Sequence, residues 1–148
     1  MKKKIIFICT GNSCRSQMAE GLMRDAIGEN FDVLSAGSNP SKVHPAAIKV
    51  MKEWGIDIQN QKSKSVNNYL EENIEIIVTV CQKANQVCPS FPNGRTKIHW
   101  NIKDPFHSWD SEERDLAPYR IARNEIKKKI NNLLIVEKLN NQGNESSN

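Results

Sequence analysis

The sequence predicts a single α/β domain in three layers, a four-stranded parallel sheet with helices on both faces. The first observation behind this prediction is that short apolar runs alternate along the chain with segments of helical periodicity. The second is that several of those runs are apolar at nearly every position, which is typical of strands buried on both faces of a parallel sheet. A chain of 148 residues with 38% hydrophobic content is long enough to bury one such core.

The first half of the chain contains two strand patterns and two helix patterns. Pro45 suits the first turn of the second helix, and Gly55 suits the position just past its end. Trp54 is spaced to face the core with the other apolar residues of that helix. We therefore expect a strand over residues 4–9, a helix from about Cys14 to near Gly28, a strand over residues 31–36 and a helix over residues 46–54.

The second half begins with a polar loop over residues 56–65. The run at residues 74–80 is almost entirely β-branched and apolar, which predicts a buried third strand. We expect the domain to span residues 1–137 and the polar tail, residues 138–148, to be flexible. The other predicted elements are a short helical stretch at residues 66–72, a loop at 81–92, a fourth strand at 96–102, an irregular segment at 104–110, and a last helix from Ser111 or Pro118 to Leu134.

The composition limits the function classes. The net charge of +4 invites a nucleic-acid interpretation, but the lysines at residues 127–129 lie in a helical pattern, so we expect no nucleic-acid partner. No apolar run approaches membrane-spanning length, and the run after the lysines at residues 2–4 is too short for a secretory signal. We expect a cytoplasmic monomer with no membrane partner, whose four cysteines are thiols and not a disulfide framework.

Residues 9–16, here called the anion loop, join the first predicted strand to the first predicted helix. Successive backbone N–H groups in such a turn, with the positive end of the helix dipole, form a concave site for a tetrahedral oxyanion. Arg15 adds a guanidinium that can bind the anion through two hydrogen bonds. The same positive field favours the thiolate of Cys9, which makes Cys9 the candidate nucleophile. The predicted oxyanion-binding residues are Thr10, Gly11, Asn12, Ser13, Cys14, Arg15 and Ser16.

Three reactive side chains are placed at one edge of the predicted sheet. Cys9, Cys81 and Asp104 each follow the carboxyl end of a predicted strand, directly or within a few residues. Ligands of open α/β sheets bind at that edge. The sequence therefore predicts a site where these three side chains converge.

The spacing Cys9-x5-Arg15 followed by Ser16, with a downstream Asp104-Pro105 pair, resembles the low-molecular-weight protein tyrosine phosphatases. Members of that family open with the same strand, loop and helix. Their late aspartate is the general acid, so the resemblance implies that role for Asp104.

Two details of the sequence bear on this resemblance. Gly11 and Asn12 fall where a loop that wraps an anion needs permissive backbone dihedrals. Phosphatases of this fold usually carry two tyrosines where this chain has Phe106 and His107, which argues against a phosphotyrosine substrate. We expect the three tryptophans, Trp54, Trp100 and Trp109, to pack within the fold and not to form a ligand site.

A tyrosine phosphatase has no use for Cys81 and Cys88, which follow the third predicted strand. The arrangement Cys81-x6-Cys88-Pro89 resembles the thioredoxin-coupled arsenate reductases, which are built on the phosphatase fold. The likeness covers nearly the whole chain, including residues 17–21, residues 35–37, Trp100 and Asp104-Pro105.

This second resemblance implies that arsenate is the substrate and that three cysteines act in relay. Cys9 attacks arsenate while Asp104 protonates the departing oxygen. Cys81 then attacks Cys9 as arsenite leaves, and Cys88 attacks Cys81. A Cys81–Cys88 disulfide ends the cycle and is reduced by thioredoxin, and weak phosphatase activity is expected beside the reduction.

Two other functions stay open. One is a low-molecular-weight protein tyrosine phosphatase that uses Cys9, Arg15 and Asp104 and does not need Cys81 or Cys88. The other is an oxyanion- or phosphoprotein-binding module that senses redox state through the cysteine pair without turnover. A structural zinc site is disfavoured, because the cysteine spacings match no usual zinc pattern.

Some of the resembling reductases hold a potassium ion beneath the anion loop, through residues that match Asn12, Glu20, Ser35 and an aspartate. The aspartate position is Lys64 here, and an ammonium would repel the ion. This puts potassium in doubt, and we expect no tightly bound cofactor or metal. We predict that Lys64 pairs with Glu20 and orders the loop from below; the alternative is that Lys64 points into solvent.

Cys14 and Ser16 are the remaining side chains of the anion loop with a predicted role. The resembling reductases keep a cysteine at the Cys14 position that is not a relay thiol, so we expect Cys14 to pack. Ser16 is expected to donate its hydroxyl to the Cys9 sulfur, and a plain helix-start serine is the alternative.

Overall fold

The computed structural model describes residues 2–80 and 91–139. Within these residues four strands form one sheet in the order β2-β1-β3-β4, and all neighbouring strands run parallel. The predicted α/β fold with a four-stranded parallel sheet is confirmed. The elements are β1 (Lys3–Cys9), α1 (Arg15–Ile27), β2 (Phe31–Gly37), α2 (Pro45–Lys52), a 3₁₀ turn (Val66–Tyr69), β3 (Ile76–Thr79), β4 (Thr96–His99), a second 3₁₀ turn (Glu113–Asp115) and α3 (Ala117–Val136).

The two central strands, β1 and β3, are covered on both faces. Residues 5–9 of β1 and all of β3 are buried. Successive side chains of a strand point to opposite faces, so an unbroken buried run requires cover on each face. β4 alternates between half-buried and exposed residues, as expected at the edge of the described sheet.

The second helix is shorter than predicted at its C-terminal end. α2 begins at Pro45, as the proline indicated, and ends at Lys52 instead of Trp54. The Gly55 N–H bonds the Lys52 carbonyl at 2.9 Å, and Gly55 takes a φ of +75° just past the helix. The expected inward position of Trp54 is wrong: its ring is 42% exposed, and the Arg123 guanidinium lies 4.0 Å from the ring centroid.

The third and fourth strands are also shorter than the apolar runs that predicted them. β3 stops at Thr79 and β4 at His99, where the Trp100 N–H bonds the Thr79 carbonyl at 2.7 Å. Beyond this bond the chain leaves the sheet, and residues 100–112 form no helix or strand, which agrees with the predicted irregular segment. The predicted helical stretch before β3 is a single 3₁₀ turn capped by Ser65.

The last helix, α3, begins at Ala117 with Pro118 in its first turn and ends at Val136. Ile126 and Ile130 lie on its buried face, as their spacing predicts. Of the predicted tail, residues 138–148, all but the first two lie outside the described residues. Within residues 2–80 and 91–139, no helix has the length and apolar character needed to span a membrane.

Candidate active site

Cys9 is the last residue of β1 and Arg15 is the first residue of α1, so the anion loop joins the sheet to the helix N-terminus. The Cys9 sulfur accepts the Asn12 backbone N–H at 3.2 Å and lies 2.8 Å from the Ser16 hydroxyl. The parallel register places Cys9 beside Gly37 at the carboxyl edge of the sheet. The candidate nucleophile is thus held at the edge where the sequence predicts the site.

A chain of hydrogen bonds connects the Ser16 hydroxyl to Asn12 and to the Cys9 sulfur. The Lys64 backbone N–H donates to Asn12 Oδ1 at 2.8 Å, which identifies the other side-chain atom of Asn12 as the NH₂ donor. That group donates to Ser16 Oγ at 2.8 Å and to Ser35 Oγ at 3.0 Å. A thiolate can only accept, so when Cys9 is ionised the Ser16 hydroxyl donates to its sulfur and stabilises it, while Ser16 Oγ accepts from Asn12. Ser16 is the second residue of α1, so its hydroxyl does not cap the helix.

The path of the anion loop depends on one residue with a left-handed backbone conformation, Asn12, and on the close approach of the loop backbone to Gly37 of β2. Asn12 has a φ of +48°, which asparagine tolerates better than most residues. Gly11 has no left-handed φ, and a Cβ there would make an ordinary contact 3.5 Å from Ser41 Oγ, so the expected need for glycine at this position is wrong. The glycine that the loop requires is Gly37 of β2, where a Cβ would lie 2.5 Å from the Thr10 carbonyl oxygen.

The anion loop turns three of its carbonyl groups outward. Backbone N–H groups of residues 39, 41 and 44 bond the carbonyls of residues 10, 11 and 13 at 2.8, 3.0 and 3.1 Å. In a trans peptide the next N–H points opposite to the carbonyl, so the N–H groups that follow face the inside of the loop. The Asn12 N–H, which bonds the Cys9 sulfur, is one of them. Such an inward array of N–H groups is the concavity that binds a tetrahedral anion.

Arg15 and Asp104 meet across the site. The Arg15 side chain is almost fully buried, and its Nη1 donates to the Ile102 carbonyl at 3.0 Å. Its Nη2 lies 3.5 Å from Asp104 Oδ2. The Asp104 side chain is 57% exposed, and the Phe106 N–H donates to its Oδ1 at 3.0 Å. A buried cation and an exposed carboxyl therefore share the space in front of Cys9.

An open cavity of about 430 Å³ contains these groups. Phe106 and Trp109 stand side by side at it, with ring centroids 5.2 Å apart. Trp109, which the sequence assigns to packing, therefore also lines the cavity, whereas Trp100 is buried in the core against Phe7. The lining comprises residues 9–11 and 13–15 of the anion loop with Asn39, Ser41, Asp104, Phe106 and Trp109.

A buried carboxylate supports the anion loop from outside the cavity. Glu20 Oε1 accepts the Ser35 hydroxyl at 2.5 Å and lies 3.9 Å from the Lys64 ammonium, and Glu20 Oε2 pairs with Arg24. Two cations thus already face Glu20, and Asn12 Oδ1 is occupied by the Lys64 N–H. These residues do not fit a potassium ion. Within residues 2–80 and 91–139, no cluster of three histidine, cysteine or acidic side chains is arranged to hold a metal.

Cys14, like Cys9, is buried. Burial raises the pKa of the Cys14 thiol to about 12, an effect that its weak hydrogen bond to Ser13 only partly offsets. The thiol therefore stays protonated at neutral pH, in accord with the packing role expected for it. Cys81 and Cys88, the two other predicted catalytic cysteines, lie outside the described residues.

The sequence reasoning missed two buried residues of the site. Gln17 Nε2 donates to the carbonyls of Asn12 and Lys62, both at 3.0 Å, and so ties the anion loop to the loop before the first 3₁₀ turn. His44 contacts both the anion loop and the segment that carries Asp104. The only sequence signal for His44 is its place before Pro45, at the cap of α2.

Comparison with known proteins agrees with this geometry. Residues 4–145 match the family described as low molecular weight phosphotyrosine protein phosphatase. An arsenate reductase of Halalkalibacterium halodurans is 44% identical over 129 residues, which cover 87% of this chain and 93% of that protein. Arsenate reductase 1 of Staphylococcus epidermidis is 45% identical over 129 residues, with the same coverage of 87% and 93%.

A solved structure of an arsenate reductase in its oxidized state gives the same result at the level of the fold. It is 31% identical to this chain, and the match covers 90% of this chain and 98% of that one with a TM-score of 0.75. The family match spans nearly the whole sequence, from β1 into the residues beyond α3. The chain therefore belongs to the low molecular weight phosphotyrosine protein phosphatase family.

Proposed function

We propose that the chain is an arsenate reductase, which reduces arsenate to arsenite with cysteine thiols as the source of electrons. The observation that carries the proposal is the Cys9 sulfur, held by the Asn12 N–H and the Ser16 hydroxyl in a cavity shared with Arg15 and Asp104. Arsenate and phosphate are both tetrahedral oxyanions, and a concavity of N–H groups suits either. The arsenate reductases at 44% and 45% identity support the choice of arsenate.

The first step uses described residues alone. The Cys9 thiolate attacks arsenic, a sulfur–arsenic bond forms, and the bond from arsenic to the hydroxyl oxygen of hydrogen arsenate breaks. Asp104 in its protonated form gives that oxygen a proton, so that it departs as water. Arg15 and the inward N–H groups of the anion loop stabilise the charge on the remaining oxygens in the transition state.

The later steps use Cys81 and Cys88. The Cys81 thiolate attacks the Cys9 sulfur, and the sulfur–arsenic bond breaks with its electron pair going to arsenic, which leaves as arsenite. Cys88 then attacks Cys81, which frees the Cys9 thiolate and leaves a Cys81–Cys88 disulfide. The two thiols supply two electrons and release their protons, and thioredoxin, a dithiol protein of the reducing cytoplasm, returns the electrons by exchange.

The experiment that tests this relay measures arsenate-dependent NADPH oxidation with thioredoxin and thioredoxin reductase. The intact chain is compared with Cys81→Ser and Cys88→Ser, and aryl phosphate hydrolysis is recorded on the same samples. Arsenate turnover is expected to be lost in both variants, while slow hydrolysis persists because it needs only Cys9 and its partners in the cavity. Arsenate turnover that survives both serines would contradict the relay.

A tyrosine phosphatase is the second candidate, and one observation favours it. Phe106 and Trp109 give the cavity an aromatic wall against which an aryl group would pack, although the tyrosine pair usual in phosphatases is absent. Brisk aryl phosphate hydrolysis without arsenate turnover, indifferent to Cys81→Ser and Cys88→Ser, would identify a phosphatase. Tight phosphate binding with neither activity would identify a binding module.

A further inference from the structure

His44 is a buried histidine that joins the anion loop to the acid segment, defined here as residues 104–110. Its backbone N–H bonds the Ser13 carbonyl of the anion loop at 3.1 Å. Its ring reaches the acid segment, where Nε2 lies 2.7 Å from the Ser108 carbonyl oxygen. The side chain is fully buried between them. A single residue therefore connects the part of the site that binds the anion to the part that carries Asp104.

The hydrogen bonds of the His44 ring define its protonation state. The Ala46 N–H lies 2.9 Å from Nδ1, and a backbone N–H can only donate, so Nδ1 carries no proton. The proton of the neutral imidazole is therefore on Nε2, which donates it to the Ser108 carbonyl. The Tyr119 hydroxyl of α3 lies 3.0 Å from the same nitrogen.

Aromatic contacts complete the attachment of the acid segment to His44. The Trp109 ring stacks on the imidazole, with centroids 4.9 Å apart and planes 16° from parallel. Phe106 meets the same imidazole edge-on at 5.7 Å. Residues 100–112 have no helix or strand bonds to hold them, so side-chain contacts place the segment. The His44 contacts hold its middle, while Arg15 bonds the Ile102 carbonyl before it and Lys49 bonds the Ser111 carbonyl after it.

We propose that His44 is a positioning residue for Asp104: the neutral imidazole clamps the acid segment against the anion loop and thereby places the carboxyl in front of Cys9. Asp104 is exposed and meets Arg15 only at 3.5 Å, so its own contacts place it weakly. The proposal rests on the proposed function, in which Asp104 protonates the departing oxygen. A misplaced acid slows this step, while Arg15 and the loop N–H groups still bind the anion. Loss of the clamp therefore lowers kcat more than it raises KM.

Protonation gives the clamp a pH dependence. Burial lowers the pKa of His44, the hydrogen bond from the ring to the Ser108 carbonyl opposes this shift, and the neighbouring His107 and Lys42 side chains add to it. A second proton would have to lie on Nδ1, facing the Ala46 N–H, so protonation breaks the bond that fixes the ring at the start of α2, whereas Nε2 still donates to the Ser108 carbonyl. The ring is thus fixed at neutral pH and loses this bond in acid, below the ordinary titration range of histidine. The titratable groups around the ring are Lys42 from the preceding loop, His107 from the acid segment and Tyr119 from α3. Asp115 lies 3.5 Å from the His107 ring, on the second 3₁₀ turn.

The test uses His44→Asn, because asparagine caps a helix well but cannot reach Ser108 or stack on Trp109. His107→Asn is the matched control, since the His107 ring bonds the nearby Pro105 carbonyl, pairs loosely with Asp115 and contacts the Tyr119 ring, and none of these partners belongs to the anion loop. For thioredoxin-coupled arsenate turnover, we expect His44→Asn to lower kcat about tenfold with little change in KM, and His107→Asn to have little effect.

A double-mutant cycle with Asp104→Asn tests whether His44 acts through the acid. If it does, His44→Asn lowers kcat about tenfold in the intact chain and less than about twofold when Asp104 is already asparagine. Equal effects of His44→Asn in both backgrounds would overturn the proposal, because His44 would then act independently of Asp104.

Tryptophan fluorescence gives a readout that does not need turnover. The chain has three tryptophans, and with Trp54→Phe and Trp100 buried, the indole open to acrylamide is Trp109. In that background we expect quenching to rise on His44→Asn. Unchanged quenching in His44→Asn would overturn the clamp. A chain without arsenate turnover would overturn the proposed function alone, and the quenching result would then decide the clamp.

Discussion

Lys64 binds two members of the network beneath the anion loop, because its backbone N–H donates to Asn12 Oδ1 at 2.8 Å and its ammonium lies 3.9 Å from Glu20 Oε1. Glu20 is buried, and the Ser35 hydroxyl donates to the same oxygen. Burial lowers the pKa of Lys64, and the charge of Glu20 opposes that shift. Lys64 therefore places a positive charge beside the buried Glu20 carboxylate, in agreement with its predicted pairing to Glu20.

Lys64→Gln is predicted to weaken the fold and the activity together. It removes one of the two cations that face the buried Glu20 and leaves Arg24 and the Ser35 hydroxyl as partners. We therefore expect the free energy of unfolding to fall by about 1 to 2 kcal/mol in urea titrations, with a lower kcat. In the unmodified chain, replacing potassium with sodium at constant ionic strength is expected to leave activity unchanged.

Lys62→Gln is the matched control for this change, because the Lys62 side chain is exposed and only its carbonyl contacts Lys64. It is expected to behave as the unmodified chain. A clear stimulation of the unmodified chain by potassium would contradict the cation-replacing role of Lys64.

Ser16→Ala is predicted to reduce the reactivity of Cys9. It removes a hydroxyl 2.8 Å from the sulfur, and hydrogen bonds to charged groups are worth about 1.5 to 3 kcal/mol, so we expect a loss of roughly ten- to a hundredfold in kcat. Alkylation of Cys9 by iodoacetamide at pH 7, followed by tandem mass spectrometry, is expected to slow as well.

Ser63→Ala is the control for Ser16→Ala, because the Ser63 hydroxyl donates at 3.0 Å to the outward Gly11 carbonyl and not to the sulfur. Its effect on Cys9 alkylation is expected to be small. Equal slowing in both variants would mean that general loosening of the anion loop, and not the bond to sulfur, sets the reactivity.

The parts of the site that the sequence predicts are those fixed by local chemistry or by topology. A strand followed at once by a helix N-terminus creates the anion loop within residues 9–16, so its position can be read directly. Cys9 and Asp104 are far apart in the chain, but parallel strands bring their carboxyl ends to one edge. The parallel order of the strands was therefore enough to predict that Cys9 and Asp104 lie at the same site.

The parts that the sequence does not predict depend on how distant segments approach one another. Which glycine the anion loop requires is decided by the distance between Gly37 of β2 and the Thr10 carbonyl, and no local pattern encodes that distance. The stack of Trp109 on His44 likewise joins two segments without regular periodicity. Both features arise from tertiary packing. A local pattern therefore predicts a required glycine at Gly11 instead of Gly37, and it predicts that Trp109 packs without predicting that Trp109 lines the cavity.

Glu53→Gln is predicted to lower stability in a pH-dependent way. Hydrogen bonds from Arg120 and Arg123 lower the pKa of Glu53 from 4.5 to about 2 and join the end of α2 to α3. The carboxylate side chain is 35% exposed, so after solvent screening we expect a loss of only about 1 kcal/mol at pH 7. Because the folded pKa is the lower one, this contribution is complete above about pH 4.5 and disappears as the pH falls toward 2.

Urea unfolding of the two proteins between pH 7 and pH 2.5 measures this dependence. The difference in unfolding free energy is expected to shrink below pH 4.5. Glu113→Gln is the control, since its side chain is 79% exposed and pairs with Arg120 alone, and we expect a smaller effect. A difference for Glu53→Gln that stays constant down to pH 2.5 would assign the loss to packing instead of charge.

Cys14 is predicted to resist alkylation in the folded protein although it lies five residues from the nucleophile. Burial raises its pKa from 9.0 to about 12, so at pH 8 its thiolate fraction is about a thousandfold below that of a free cysteine. Iodoacetamide at pH 8 is therefore expected to label Cys9 before Cys14 in the folded chain. Cys14 is expected to react at the rate of a free cysteine only after unfolding in urea. Tandem mass spectrometry identifies which cysteine carries the label. Labelling of both cysteines at one rate in the folded chain would make Cys14 a competing nucleophile. If Cys14 stays unlabelled, the thiol chemistry inside the anion loop belongs to Cys9.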